Sequence, residues 1–188
     1  MRAGGAALAA FVALGLSACG GAQQDAQEPS GKFKVEVHGS FPKTQKLAKR
    51  STMIVTVKNV DRKPLPNPSV TVDSFNRNST QSNLADASRP VFIVNRGPRG
   101  GQTANQATSA FGHELLPGQV ATFKWSVTAV QAGPYKIKWT VSAGLFGKAI
   151  AVDTAGRENP SGLFVGKINN AAPHSTVNFK NGKTVEGG

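Results

Sequence analysis

Two stretches of this chain alternate apolar and polar side chains so strictly that each must be a strand with one buried face. Gln119 to Val127 (QVATFKWSV) sets Ala121, Phe123, Trp125 and Val127 on one side, with Thr122, Lys124 and Ser126 on the other. Tyr135 to Val141 (YKIKWTV) sets Tyr135, Ile137, Trp139 and Val141 against Lys136, Lys138 and Thr140. A period of two fits the pleat of a strand and not the turn of a helix. Ala132-Gly133-Pro134 between them is a turn signal, so the pair is expected to form an antiparallel hairpin. Each large inward side chain contributes about 1.5–3 kcal/mol on burial, which makes this pair the main source of core stability.

Further strands are read by the same rule. Lys32 to His38 (KFKVEVH) alternates cleanly, and Thr52 to Val60 (TMIVTVKNV) carries Met53, Val55 and Val57 on one face with Ile54 on the other. Ser69 to Phe75, the short run Val91 to Val94 and Lys148 to Val152 are shorter candidates. Asp61 to Pro68 holds three prolines, which cannot donate to a ladder, and is read as a loop. No long segment repeats apolar residues at helical spacing, and 21 glycines with 11 prolines suit a turn-rich chain. The expectation is an all-β chain, an immunoglobulin-like β-sandwich of about seven strands over residues 32–153. Residues 154–188 are expected to be a C-terminal extension ending in a β-hairpin, with Asn181-Gly182 favouring a type I′ turn.

The N-terminal end has a different character. Arg2 precedes an uncharged apolar run from Ala6 to Leu16, the length of a signal-peptide core and too short to span a bilayer. Leu16-Ser17-Ala18-Cys19 resembles the bacterial lipobox, which implies cleavage after residue 18 and attachment of diacylglycerol to Cys19. The alternative is a plain secretory peptide that leaves a free thiol. Cys19 is the only cysteine, so no intramolecular disulfide staples the fold. Residues 19–31 are polar and Gly/Gln-rich and are read as a lipidated cysteine with a flexible linker. The expected address is the extracytoplasmic face of a bacterial cell membrane, with the membrane held through the N-terminal lipid.

The formal charge is +12, and a strongly basic domain attracts polyanions. For an exported protein those are anionic lipid headgroups and cell-wall polymers rather than nucleic acid. Lys124, Lys136 and Lys138 share the polar side of the expected hairpin, and Lys32 and Lys34 would extend that row if they lie in the same sheet. Arg96-Gly97-Pro98-Arg99-Gly100-Gly101 is a candidate anion-binding turn, because glycines let backbone N–H groups converge. The candidate anion-binding residues are therefore Arg96, Arg99, Lys124, Lys136 and Lys138.

Catalytic patterns do not emerge. His38, His113 and His174 lie far apart, without metal-ligand spacing, and Met53 is the one methionine beyond the leader. Gly-x-Ser-x-Gly, paired carboxylates and an EF-hand loop are not found. The reading is a non-enzyme without metal or cofactor: a membrane-anchored surface lipoprotein whose sandwich binds a protein or an anionic cell-envelope polymer. The alternative is a small-ligand carrier or hydrolase with its site in the long segment 76–115.

The stretches STMIVTVKNVDRKPLPNPSVTV and LLPGQVATFKWSVTAVQAGPYKIKWTVSAGLFGKA resemble CARDB-like and related Ig-like domains of bacterial surface proteins. With RPVFIVNRGPRG between them and the lipobox before them, the chain resembles actinobacterial lipoproteins carrying one such domain. The resemblance spans Phe33 to Val152 and implies a fold. It carries over no catalytic residue.

Overall fold

A computed structural model describes residues 27–78, 88–105, 107–170, 175–178 and 181–186. Its strands in chain order begin with β1 (Gly31–Ser40), β2 (Thr44–Lys46), β3 (Arg50–Asn59), β4 (Ser69–Val72) and β5 (Asn76–Asn78). Then come β6 (Ser88–Pro90), β7 (Phe92–Arg99), β8 (Gln102–Thr103), β9 (Thr108–Ala110) and β10 (Val120–Ala129). The last are β11 (Gly133–Ser142), β12 (Ala149–Val152), β13 (Ser161–Asn169), β14 (Ser175–Asn178) and β15 (Lys183–Glu186). One five-stranded sheet has the order β12-β1-β3-β10-β7, and one six-stranded sheet the order β2-β13-β11-β4-β9-β8. The pairs β5-β6 and β14-β15 form separate two-stranded sheets.

The alternation seen in the sequence builds the core. Ala121, Phe123 and Trp125 of β10 stand opposite Val57, Val55 and Met53 of β3, and all six are buried. Val70 and Val72 of β4 with Tyr135, Ile137, Trp139 and Val141 of β11 supply the facing layer. Phe41 joins the layers at one end, with its ring edge-on to Phe92 at 5.3 Å and to Tyr135 at 5.6 Å. The Tyr135 hydroxyl donates to the Pro42 carbonyl, and burial pushes its pKa up.

The expected hairpin of the two strongest strands is not formed. β10 pairs with β3 and β7, whereas β11 pairs with β13 and β4 in the other sheet. Alternation fixes which face of a strand is buried and is silent about the neighbour, so two such strands can equally face one another across a core. Here the end of β10 is held to its own sheet, Ala129 N–H donating to Lys49 and Val130 N–H to Val91. Gln131 and Ala132 then carry the chain across.

Two expected boundaries also move. The sandwich does not end at residue 153, because β13 pairs with β11 from Ile168 to Ser161 and with β2 beyond it. Its pattern is masked by Gly162 and Gly166, which face inward under Trp139 and Tyr135, so only Phe164 and Ile168 mark the buried side. The linker is not free up to residue 31. The Glu28 carboxylate accepts from the backbone N–H groups of Leu145 at 2.5 Å, Phe146 at 3.1 Å and Lys148 at 2.9 Å. The C-terminal hairpin is present as β14-β15, with Gly182 at φ 67°, and the turn expected at Asn181-Gly182 starts from Lys180, outside the described residues. The leader, Cys19 and His174 lie outside the described residues.

The free edge beyond β12 is closed by a turn centred on Asp153. Its Oδ1 accepts from the N–H groups of Ala155 and Arg157, both at 2.9 Å, and its Oδ2 from the Arg157 guanidinium at 2.7 Å. These donors, the Arg157 backbone N–H first, hold the carboxyl pKa below its usual 3.8.

Candidate functional site

The outer face of the five-stranded sheet is built from the polar halves of its strands. In the β3–β10 register, Ile54, Thr52 and Arg50 stand beside Lys124, Ser126 and Thr128. On the far side of β10, Lys124 pairs with Arg99 and Ser126 with Arg96. Arg50, Arg96, Arg99 and Lys124 thereby line one groove of about 380 Å³, together with Thr52, Asn95 and Ser126. Among the described residues no carboxylate lines it, and none of the four cations forms an ion pair.

Two β-bulges make this convergence possible. Side chains three residues apart on a regular strand point to opposite faces, which would separate Arg96 from Arg99. Between the pairs Lys124–Arg99 and Ser126–Arg96, β7 uses one residue more than β10, and it does so again before Val127–Val94. Gly97 and Pro98 consequently face the Trp125 side, and both arginines return to the outer face. Asn95 Nδ2 donates to Thr128 Oγ1 at 2.7 Å and ties the bulged strand to β10. The candidate turn of residues 96–101 is thus strand as far as Arg99. Only Gly100 and Gly101 form a corner, which moves the chain into the other sheet. Gly100 has φ 82°, and a Cβ there would sit 2.1 Å from the Thr122 carbonyl oxygen.

The sequence offers two separate candidates, the Arg96–Arg99 turn and the Lys124–Lys136–Lys138 row, and the structure brings Arg96, Arg99 and Lys124 into one groove. Lys136 and Lys138 lie on the outer face of the six-stranded sheet, because β11 belongs to that sheet. The lysine row is therefore broken, with the whole core between its members. Lys138 Nζ lies 3.8 Å from Asp73, and across the pair with β13 Lys138 stands opposite exposed Leu163 and Lys136 opposite exposed Val165. Lys32 and Lys34 do share a sheet with Lys124, but on β1, and Lys32 is paired with Glu158 at 2.5 Å. Arg50, which is not among the candidate residues of the sequence, also lines the groove. Counting back by two from Ile54 puts Thr52 and Arg50 on the outer face of β3, but only the β3–β10 register shows that this face adjoins Lys124.

Segment 76–115 borders two cavities. One, of about 360 Å³, is lined mainly by Phe75, Val91, Phe92, Tyr135 and Ile137. The other, of about 450 Å³, reaches from Asp73 past Phe92 and Pro98 to Trp125. Among the described residues the ionisable lining groups are Tyr135 and Lys136 in the first, the Tyr135 hydroxyl being engaged by the Pro42 carbonyl, and Asp73 alone in the second, so neither pairs a carboxylate or imidazole with a partner. His38 is exposed and hydrogen-bonded to Glu36 at 3.0 Å, which is the main reason that carboxyl titrates below its usual 4.5. His113 packs on Phe111, with ring centroids 4.0 Å apart. No three His, Cys, Asp or Glu side chains among the described residues are grouped to hold a metal ion. No described helix is long and apolar enough to cross a membrane.

Two sheets packed face to face, with short connections crossing between them, define an immunoglobulin-like β-sandwich. Solved structures similar to it include the CARDB domain of the PF1109 protein from Pyrococcus furiosus, in complex with di-metal ions. That domain is 16% identical over 74% of this chain and 94% of its own, with a TM-score of 0.44. Native alpha-2-macroglobulin of Escherichia coli is similar at 16% identity over 76% of this chain, TM-score 0.45, and this chain spans only 7% of its length. The PapD-like domain 7 of human CEP192 is similar at 10% identity over 74% of this chain and 88% of its own, TM-score 0.41. No protein-family model and no curated relative matches the sequence.

Proposed function

We propose that the chain is a non-enzymatic binding module, held at the outer face of a bacterial cell membrane by acyl chains on Cys19. It takes anionic groups of a cell-envelope polymer or a protein in the Arg50–Arg96–Arg99–Lys124 groove. One observation supports this most directly: four cations converge, two of them only because β7 is bulged, and among the described residues no carboxylate neutralises them. A purely solubilising surface interleaves both signs, as Glu36, Lys58 and His38 do elsewhere on the same sheet. Binding of the full chain to isolated bacterial envelope tests the reading. Saturable binding that is lost in Arg96→Glu/Arg99→Glu supports it, and binding unchanged in that variant refutes it. Incorporation of a labelled fatty acid in wild type but not in Cys19→Ser tests the anchor separately.

A further inference from the structure

We infer that the groove is a row of subsites for consecutive charges of one linear polyanion, and this inference rests on the anion-binding reading above. Three features of the site select this partner from the wider class of anions.

The first is openness. Arg50, Thr52, Asn95, Arg96, Arg99 and Lys124 are all exposed, and Ser126 is half-buried. A pocket for a small molecule is mostly apolar and buries most of its ligand, whereas this groove is framed by exposed polar side chains. One phosphate or carboxylate bound in the open gains little against water and salt. Useful affinity on such a face must come from several charges held by one backbone, so that each later contact is intramolecular.

The second is the lining. Not one of the lining residues is apolar. Protein partners draw most of their binding energy from aromatic and aliphatic anchors packed in desolvated pockets. The groove has nowhere to seat one. Thr52, Ser126 and Asn95 instead offer hydroxyl and amide groups between the cations, suited to the hydroxyls and ester oxygens of a polymer.

The third is geometry. Arg50 stands at the level of Thr128, and Arg99 at the level of Lys124. Four residues of strand separate those levels by about 13 Å, and the three strands span about 10 Å across. The cations are thus strung diagonally from the start of β3 to the end of β7. That is a path for an extended chain, too long for one anion to touch both ends.

The experiment uses full-length protein in competition and direct-binding formats, with linear polyphosphate of graded length, inorganic phosphate, polygalacturonate and phosphatidylglycerol vesicles as probes. Affinity is expected to rise steeply with polyphosphate length and then level off once the chain spans the groove. The plot of log affinity against log salt should have a slope of roughly −3, from about −0.7 per neutralised charge. Arg96→Glu/Arg99→Glu should weaken binding more than tenfold, while Lys136→Glu/Lys138→Glu, with the same change of net charge, should alter it less than twofold. Polygalacturonate binding as well as polyphosphate widens the partner to linear polyanions of either charge type and supports the row. Preference for polyphosphate supports the row and narrows the partner to a phosphate polymer. Inorganic phosphate competing at the same total phosphate concentration overturns the row and leaves a single-anion site. Tighter binding to the vesicles than to either polymer also overturns it. If nothing binds, or both double variants lose binding alike, the underlying reading falls as well.

Discussion

The two outer faces of the sandwich carry similar raw material and put it to different use. Each presents strands that alternate a buried apolar side with exposed Lys, Arg, Ser and Thr. On the five-stranded sheet, Arg50, Arg96, Arg99 and Lys124 converge on one groove that no carboxylate of the described residues lines. On the six-stranded sheet, Lys136 and Lys138 lie at regular two-residue spacing, Lys138 faces Asp73, and Leu163 and Val165 stand beside them. The difference is not one of charge count. It comes from β7, where two extra residues turn both arginines to the same side. A basic face becomes a candidate site through an irregularity in its backbone.

The most severe way to break the comparison is to strike the close approaches on each side. Gly100→Ala places a Cβ 2.1 Å from a backbone oxygen at φ 82°, and Gly162→Ala places one 2.3 Å from the Trp139 ring. Each should cost more than about 2 kcal/mol in denaturant unfolding. Only Gly100→Ala should also reduce polyanion binding at temperatures where both variants remain folded, because it sits at the end of the bulged strand. Equal loss of binding in the two would mean that the groove depends on the fold as a whole.

Charge reversal comes next. The tenfold or greater loss expected for Arg96→Glu/Arg99→Glu, set against the near-neutral Lys136→Glu/Lys138→Glu, is the direct measure of the asymmetry. Inserting regularity instead of charge sharpens it further. Deleting Gly97 should turn Arg96 away from the groove and weaken binding about fivefold, with every cation still in the chain. A deletion variant that binds like wild type would show that the bulge is incidental.

Acid stability is a smaller effect. The Asp153 carboxyl has a folded pKa below 3.8, so its contribution is fully present above about pH 3.8 and fades as pH falls through the folded value. Thermal unfolding followed from pH 6 downward should show a shallower acid limb for Asp153→Asn, which is already destabilised at neutral pH. Parallel limbs would deny the linkage. Smallest of all is Asp73→Asn on the opposite face. The pair with Lys138 is about half exposed on both sides, so its loss should stay within about 0.5 kcal/mol.

Much of the fold was legible because burial writes itself into a chain at period two. The cores of β1, β3, β10 and β11 fall where Phe33, Val55, Phe123 and Ile137 alternate with polar neighbours. Pairing was not legible, because alternation has no term for the neighbour, and the sheet change at Gln131-Ala132 uses the same turn residues as a hairpin. A strand at Leu163, Val165 and Ile168 was legible, but not its place in the sandwich, because two of its inward positions are glycines that make room for Trp139 and Tyr135. The site was half legible. Arg96, Arg99 and Lys124 were chosen for their charge, but their meeting depends on a register shift that leaves no mark beyond a Gly-Pro pair. Arg50 could have been added only once β3 was known to lie beside β10.

Glu28 gives the molecule a mechanical property. Its carboxylate grips the turn after β11 just before the chain enters β1, and β1 runs parallel to β12 and antiparallel to β3. Tension arriving from the N-terminal side meets that grip first. Beyond it, a pull along the axis of β1 loads the bonds to both neighbouring strands in shear, many at once. A tether entering across the sheet would unzip them one by one. The strand that receives the load is thus clamped at its entrance and braced on both sides, so the sandwich should yield under tension at a higher force than it would if residues 27–30 hung loose.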